Sequence, residues 1–169
     1  MRRASLLFAF AAALPMLSGC GLRPLYAGGE GSPVVQALRS VSVAPIAGQS
    51  GWIMRNKLIA RLGEAGASSA RYRLDVTLDD NIKSFGLRSD RAATQERRSL
   101  RARYQLVEIA TGTVVLDATS GSDAGIDIVG SEYATVAAEQ TVLEQLSDQV
   151  ADQIVARLAL YAARTSKAR

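Results

Sequence analysis

The chain has 169 residues, of which 48% are hydrophobic and 21% are charged, and its formal net charge is +4. This size and apolar content suit a single domain with a hydrophobic core. The chain has no histidine and one cysteine, and it lacks the glycine-rich phosphate loops, so zinc sites, Cys or His nucleophiles and Ser-His-Asp triads are not expected. We therefore predict neither catalysis nor a bound cofactor.

The N-terminus is organised like a secretory signal. Two arginines precede an uncharged run of 14 residues, which is shorter than the roughly 20 apolar residues of a membrane-spanning helix. The run ends in Leu17-Ser18-Gly19-Cys20, which resembles the bacterial lipobox, where the signal is cut before the cysteine and the cysteine is acylated. We predict removal of residues 1–19 and lipid attachment, with palmitate among the chains, at Cys20. The alternative is a secreted protein with one unpaired cysteine.

The segment after the cysteine is predicted to be a tether. Residues 20–36 are rich in glycine and proline and show no hydrophobic period. In lipoproteins an Asp after the cysteine commonly marks retention in the inner membrane, and Gly21 stands there instead. This favours the periplasmic side of the outer membrane. A tether of this length, at roughly 3.5 Å per residue, keeps the following domain near that membrane.

Hydrophobic periodicity predicts six elements between residues 37 and 163, followed by a basic tail at 164–169. The strands are expected at 41–46, 71–82, 94–109 and 114–122, and the helices at 52–65 and 131–162. Ser50 is the expected cap of the first helix and Ser131 of the second. Trp52 is expected to be a core anchor or helix staple, with an interface residue as the alternative. Residues 84–92 and 123–130 are predicted loops.

The order β-α-β-β-β-α predicts an α+β fold. Alternation in 71–82 gives one apolar and one polar face, which is typical of a sheet covered on one side. The two amphipathic helices, the longer with a stripe from Val136 to Tyr161, need an apolar surface. We therefore predict a two-layer sandwich in which two helices cover one face of a four-stranded, mostly antiparallel sheet.

Positive charge is concentrated on one predicted hairpin. Seven basic residues lie between positions 83 and 103, against Asp90 and Glu96. They are Lys83, Arg88, Arg91, Arg97, Arg98, Arg101 and Arg103. Arginine binds phosphate through its planar, permanently charged fork, so this arginine hairpin is the candidate binding site for an acidic ligand. The alternative is a solvated strand face, on which charges are common; nucleic acid is not expected to meet an exported protein.

Two further segments contain apolar residues at positions of interest. Phe85 and Leu87 near the hairpin tip either contact a ligand or partner, or fold back on the hairpin. The segment Arg23-Pro24-Leu25-Tyr26 is expected to dock against the wall of a partner protein or the membrane interface near the anchor, because an aromatic residue and a leucine interrupt a glycine-rich stretch.

The lipobox, the heptapeptide CGLRPLY at residues 20–26 and the element order together resemble the LptE family, in particular its alphaproteobacterial branch. The resemblance implies an outer-membrane lipoprotein that plugs the β-barrel LptD, assists its assembly and binds lipopolysaccharide on its way to the outer leaflet. It implies that the arginine hairpin contacts lipopolysaccharide or the barrel lumen. Two other small lipoprotein classes compete: an auxiliary lipoprotein of an envelope lipid transporter, and an activator of a cell-wall synthase, whose tether is usually longer.

Overall fold

The computed structural model describes residues 32–63, 70–87, 93–128 and 131–167. The predicted signal, lipobox and Arg23–Tyr26 segment lie outside the described residues, as do Arg88 and Arg91. The predictions for those segments therefore remain predictions.

The described residues form three helices and four strands in the order α-β-α-β-β-β-α. These are α1 (Pro33–Arg39), β1 (Val41–Val43), α2 (Gly48–Leu62), β2 (Tyr72–Leu87), β3 (Ala93–Glu108), β4 (Thr113–Asp127) and α3 (Glu132–Lys167). The short helix α1 is an addition to the predicted elements, and it begins within the segment predicted as a tether. No helix in this part of the chain is long and apolar enough to cross a bilayer.

The sheet has the strand order β1-β2-β3-β4. β2, β3 and β4 form an antiparallel meander, and β1 pairs in parallel with the first residues of β2, from Val41 beside Tyr72 to Val43 beside Leu74. The parallel pair arises because α2 returns the chain between β1 and β2. The predicted α+β fold, with helices on one face of a mostly antiparallel sheet, is confirmed.

The core lies between the helices and the inner face of the sheet. Alternate residues of β3 supply Leu100, Ala102, Tyr104 and Leu106, all at most 2% exposed. Buried helix residues cover them: Met54, Leu58 and Leu62 from α2, and Leu143, Leu146, Val150, Ile154 and Leu158 from α3. Full burial of such a side chain stabilises the fold by about 2 kcal/mol.

Two strands are longer than predicted. β2 continues through the predicted loop at residue 84 to Leu87, and β4 continues through the predicted loop at residue 123 to Asp127. Glycine, serine and aspartate in these stretches disfavour strands. β3 nevertheless supplies backbone partners for both, with Gln95 beside Phe85 on one side and Asp127 on the other.

The beginning of α2 departs from the prediction. The helix starts at Gly48 after Ala47 at the N-cap, so Ser50 is not its cap. Trp52 is 67% exposed, and its assignment as a core anchor is wrong. It lies two residues, about 200° around the helix, from Met54, which faces the sheet.

α3 follows its prediction over most of its length. The Ser131 hydroxyl accepts a hydrogen bond from the Ala134 N–H at 3.5 Å, in agreement with the predicted cap. The predicted stripe is buried from Leu143 to Leu158, but Val136 is 57% exposed because α3 extends past the start of α2 at this end. The helix continues to Lys167, into the predicted basic tail.

Candidate functional site: the arginine hairpin

The register of the sheet divides the arginine hairpin between two faces. We call the sheet end at Leu87 and Ala93 the hairpin end, and the end at Tyr72 and Glu108 the base. The open face is the sheet face opposite the helices. Lys83, Arg97, Arg101 and Arg103 of the predicted site lie on the open face and are exposed. Arg98, adjacent to Arg97 in sequence, lies on the inner face.

Arg98 is occupied by contacts within the fold. Its guanidinium donates to both carboxylate oxygens of Asp80, at 2.8 and 2.7 Å, and to the Glu139 carbonyl of α3 at 2.9 Å. The side chains of Arg98 and Asp80 are 12% and 18% exposed. This geometry links β2, β3 and α3 and leaves Arg98 no open-face position from which to meet a ligand.

Arg101 is paired with an acidic residue of β4. Its guanidinium donates to both carboxylate oxygens of Asp123, at 3.1 and 2.8 Å. It reaches Asp123 by lying across Gly121, where a Cβ atom would overlap the arginine side chain. The Arg101 contact, with a further one from the Ser99 hydroxyl, holds the pKa of Asp123 below its usual range.

Arg103 is neutralised in the same way one pair closer to the base. It donates to both carboxylate oxygens of Asp117, at 3.3 and 2.9 Å, and Gln105 donates to the same carboxylate at 2.8 Å. These bonds lower the pKa of Asp117 and raise that of Arg103. On β2 the exposed Arg73 likewise donates to Asp75 at 2.9 Å.

The hairpin end carries open-face cations without an acidic partner. Lys83 and Arg97 are directly opposite each other on β2 and β3, and neither forms an ion pair within the part of the chain that the structure describes. Like charges in this position repel. The Arg97 guanidinium lies 5.7 Å from the centre of the Phe85 ring, which is 42% exposed. We call Lys83, Phe85 and Arg97 the hairpin patch.

The hairpin patch combines two kinds of binding group. Its cations can bind acidic groups, and the ring of Phe85 can contact apolar chains. Arg97 is opposite Gly125 of β4, which has no side chain, and its charge helps to lower the pKa of the nearby Asp123. Arg88 and Arg91, whose placement is not described, follow within the connection that leaves the patch.

The acidic residues of β4 are the part of the site that sequence reasoning missed. Asp117 lies within a predicted strand, but Asp123 lies in a predicted loop that the structure shows to be part of β4. Their alternation with small residues is a weak strand signal, and their register against β3 becomes visible only once the β3–β4 turn is fixed. As a result the open face is a set of Arg–Asp pairs towards the base and a cationic patch at the hairpin end.

Known structures share this fold. A structure from Caulobacter crescentus CB15, named as a lipoprotein, is 24% identical, covers 77% of this chain and 96% of its own, and has a TM-score of 0.63. The rare lipoprotein B from Shewanella oneidensis is 10% identical, with coverages of 75% and 98% and a TM-score of 0.56. The minor lipoprotein from Acinetobacter baumannii is 14% identical, with coverages of 71% and 90% and a TM-score of 0.53. At these identities the likeness defines the fold class: a two-layer domain shared with bacterial lipoproteins.

The sequence itself defines the family. The LptE family model, described as lipopolysaccharide-assembly, matches residues 38–158, which is more than half of the chain. The chain therefore belongs to the LptE family. A comparison with curated protein sequences gave no match.

Proposed function

We propose that this protein is an outer-membrane lipoprotein, anchored on the periplasmic side through acylated Cys20, that plugs the LptD barrel and binds lipopolysaccharide through the hairpin patch. It assists assembly of the barrel and performs no catalysis. Membership of the LptE family supports the assignment to lipopolysaccharide assembly. The observation that carries the ligand assignment is the charge of Lys83 and Arg97, for which the described residues supply no ion pair, beside exposed Phe85.

The chemistry of the patch matches that of lipopolysaccharide. Lipid A offers phosphates for the two cations and acyl chains for the phenylalanine ring. Charge-assisted hydrogen bonds to phosphate are about twice as strong as neutral ones. Arg101 and Arg103 would have to give up Asp123 and Asp117 before binding a phosphate. We therefore assign them a smaller share of the affinity than Lys83 and Arg97.

The shape of the domain supports the role of a plug. β2 and β3 each have 16 residues, so the sheet is about 50 Å long at roughly 3.3 Å per residue. A bilayer with its headgroups is roughly 40–45 Å thick. The chain enters the domain at Pro33, whose helix α1 packs beside the last turns of α3 at the base. The hairpin patch is thus at the end of the domain away from the proposed anchor.

Two double variants test the ligand assignment. Each removes two positive charges from the open face, one at the hairpin end and the other towards the base. The double variant Lys83→Gln/Arg97→Gln should bind purified lipopolysaccharide about tenfold more weakly, and the loss should shrink at high salt. The matched control, Arg73→Gln/Arg103→Gln, removes the same charge from residues paired with aspartates. It should stay within about twofold of the parent protein. Equal losses in both would mean that overall charge, and not the hairpin patch, sets the affinity.

The partner assignment is tested separately. Affinity purification of the lipidated protein from native membranes in mild detergent should recover a large outer-membrane barrel protein in stoichiometric amount. Recovery of an inner-membrane permease in its place would support the auxiliary lipoprotein of a lipid transporter and contradict the plug.

A further inference from the structure

A second polar site lies at the base, at the opposite end of the domain from the hairpin patch. It is a cleft of about 430 Å³ between α1, the start of β2 and the last turns of α3. Its lining is Pro33, Gln36, Ala37, Ser40, Arg71, Ala162, Thr165 and Ser166. This volume lies within the usual range of small-ligand sites.

Arg71 is the charged group of the cleft, and it is fixed in place. Its N–H donates to the Ser40 carbonyl at 2.9 Å, and its carbonyl accepts from the Ile109 N–H at 3.0 Å. The guanidinium lies 5.1 Å from the centre of the Tyr72 ring and donates through Nε and Nη2 to Glu108. Nη1 makes none of these bonds among the described residues, so its N–H groups can donate to a ligand.

The hydroxyl groups of the cleft present acceptors. Ser40 donates its hydroxyl hydrogen to the Ala37 carbonyl at 2.7 Å, Thr165 to the Tyr161 carbonyl at 3.0 Å, and Ser166 to the Ala163 carbonyl at 3.1 Å. A carbonyl cannot donate, so each hydroxyl oxygen keeps its lone pairs for a ligand donor. The C-terminal end of α3, which carries partial negative charge, adds to the attraction for a cation.

We propose that this cleft binds a phosphoethanolamine headgroup of the membrane to which the protein is anchored. The phosphodiester accepts from Arg71 Nη1, and the ammonium group donates to the hydroxyl oxygens of Ser40, Thr165 and Ser166. A zwitterionic headgroup supplies an acceptor for Arg71 and donors for the hydroxyl oxygens, whereas an inorganic anion would leave the hydroxyl acceptors without a donor. The assignment to a membrane rests on the proposed anchoring, because the chain leaves the cleft at Pro33 towards Cys20.

The test uses the chain from residue 20 with Cys20→Ser, titrated with glycerophosphoethanolamine and followed by backbone NMR. Saturable shifts should centre on Ser40, Arg71, Thr165 and Ser166. Glycerophosphocholine, whose ammonium has no N–H donor, should bind at least fivefold more weakly. Absence of saturation at tens of millimolar, or equal binding of the choline analogue, would overturn the proposal.

Variants separate the cleft from general surface charge. Arg71→Gln should weaken binding about tenfold, as expected for loss of a charged hydrogen bond. Arg73→Gln, two residues along on the open face, should leave binding unchanged. Thr165→Val, with Ser166→Ala, should also weaken binding without touching the ion pair with Glu108. Unchanged binding in both cleft variants would rule the cleft out.

Vesicles identify the source of the ligand. The same soluble protein should co-sediment more with phosphatidylethanolamine–phosphatidylcholine vesicles than with phosphatidylcholine alone, and Arg71→Gln should abolish the difference. Binding of glycerophosphoethanolamine without a preference for vesicles that contain phosphatidylethanolamine would contradict the assignment to a membrane. None of these readouts uses lipopolysaccharide or the barrel, so failure of this proposal can be told apart from failure of the proposed plug.

Discussion

Two arginines that are adjacent on a strand have different environments when one of them faces the core. Arg97 and Arg98 belong to one run of basic residues in the sequence, and strand alternation separates them. That separation could be predicted from the sequence. The partners could not, because Asp80 and Glu139 meet Arg98 only after β2, β3 and α3 have assembled.

This difference predicts unequal effects on stability. Arg98→Met leaves the Asp80 carboxylate half-buried without its cation, which should lower the free energy of unfolding by about 3 kcal/mol. Arg97→Met, at an exposed position, should change it by less than about 0.5 kcal/mol. Urea unfolding measures both. Adding Asp80→Leu to Arg98→Met should recover part of the loss, and equal effects of the two arginine variants would contradict the placement of Arg98.

Gly121 gives a second prediction at the residue scale. A methyl group at this position would displace the Arg101 side chain, so Gly121→Ala should break its contact with Asp123. The pKa of Asp123 should then rise towards its usual value, which NMR titration of the carboxyl carbon would detect. Gly125→Ala is the matched control, since its Cβ atom would come no closer than 4.0 Å to the Glu96 carbonyl oxygen. An unchanged Asp123 pKa in Gly121→Ala would show that Arg101 does not cause the shift.

Acidic residues of α3 join this helix to α2 at their surface, among them Asp148 and Asp152, the latter bonded to Arg61 at 2.6 Å. Asp148 of α3 accepts from Lys57 at 2.8 Å and from Arg61 at 3.0 Å, both on α2. These contacts, Lys57 first, lower the pKa of Asp148. The amphipathic stripes of the two helices are predictable from their hydrophobic period. This polar connection is not, because it depends on the parallel packing of the helices.

The lowered pKa fixes the sign of a pH effect. A carboxyl with a lower pKa in the folded state adds stability above its unfolded pKa of about 3.9, and that stability is lost as pH falls through the folded value. Asp148→Asn should therefore cost about 0.5–1 kcal/mol at neutral pH, given its exposure. The difference should vanish well below pH 4 in thermal unfolding. Glu144→Gln is the control: Glu144 lies one turn earlier and accepts from the neutral Gln140 at 3.5 Å, so its loss should show little effect. A pH-independent loss in Asp148→Asn would contradict the ion-pair origin.

At the level of elements, the segments in which the structure departs from the predicted elements share one cause. α1, the end of β2 and the end of β4 all lie in stretches rich in glycine, serine or proline, where local propensity is unfavourable. Each is formed because a neighbour supplies its partners: α3 for α1, and β3 for both strand ends. The exposed position of Trp52, in contrast, follows from the helical period. The core prediction for Trp52 rested on its apolar side chain and not on that period.

The two ends of the molecule carry different surface groups. The base carries the entry of the chain, the Arg71 cleft and the exposed Ile109, and the hairpin end carries Lys83, Phe85 and Arg97. Eleven residues lie between Cys20 and Ser32, so a fully extended connection spans about 40 Å. The sheet, at about 50 Å, is longer than this reach. The proposed anchoring at Cys20 therefore favours a base at the membrane surface and a hairpin end directed away from the anchor.

The central claim is that lipopolysaccharide meets the hairpin end and not the base. The most direct measurement is photo-crosslinking in cells, with a photoreactive phenylalanine derivative in place of Phe85 in one variant and of Ile109 in another. The two positions are similarly exposed, at 42% and 48%, and lie at opposite ends of the sheet. We expect a lipopolysaccharide adduct from position 85 and none from position 109. Equal adducts from both positions, or an adduct only at the base, would contradict the proposed function.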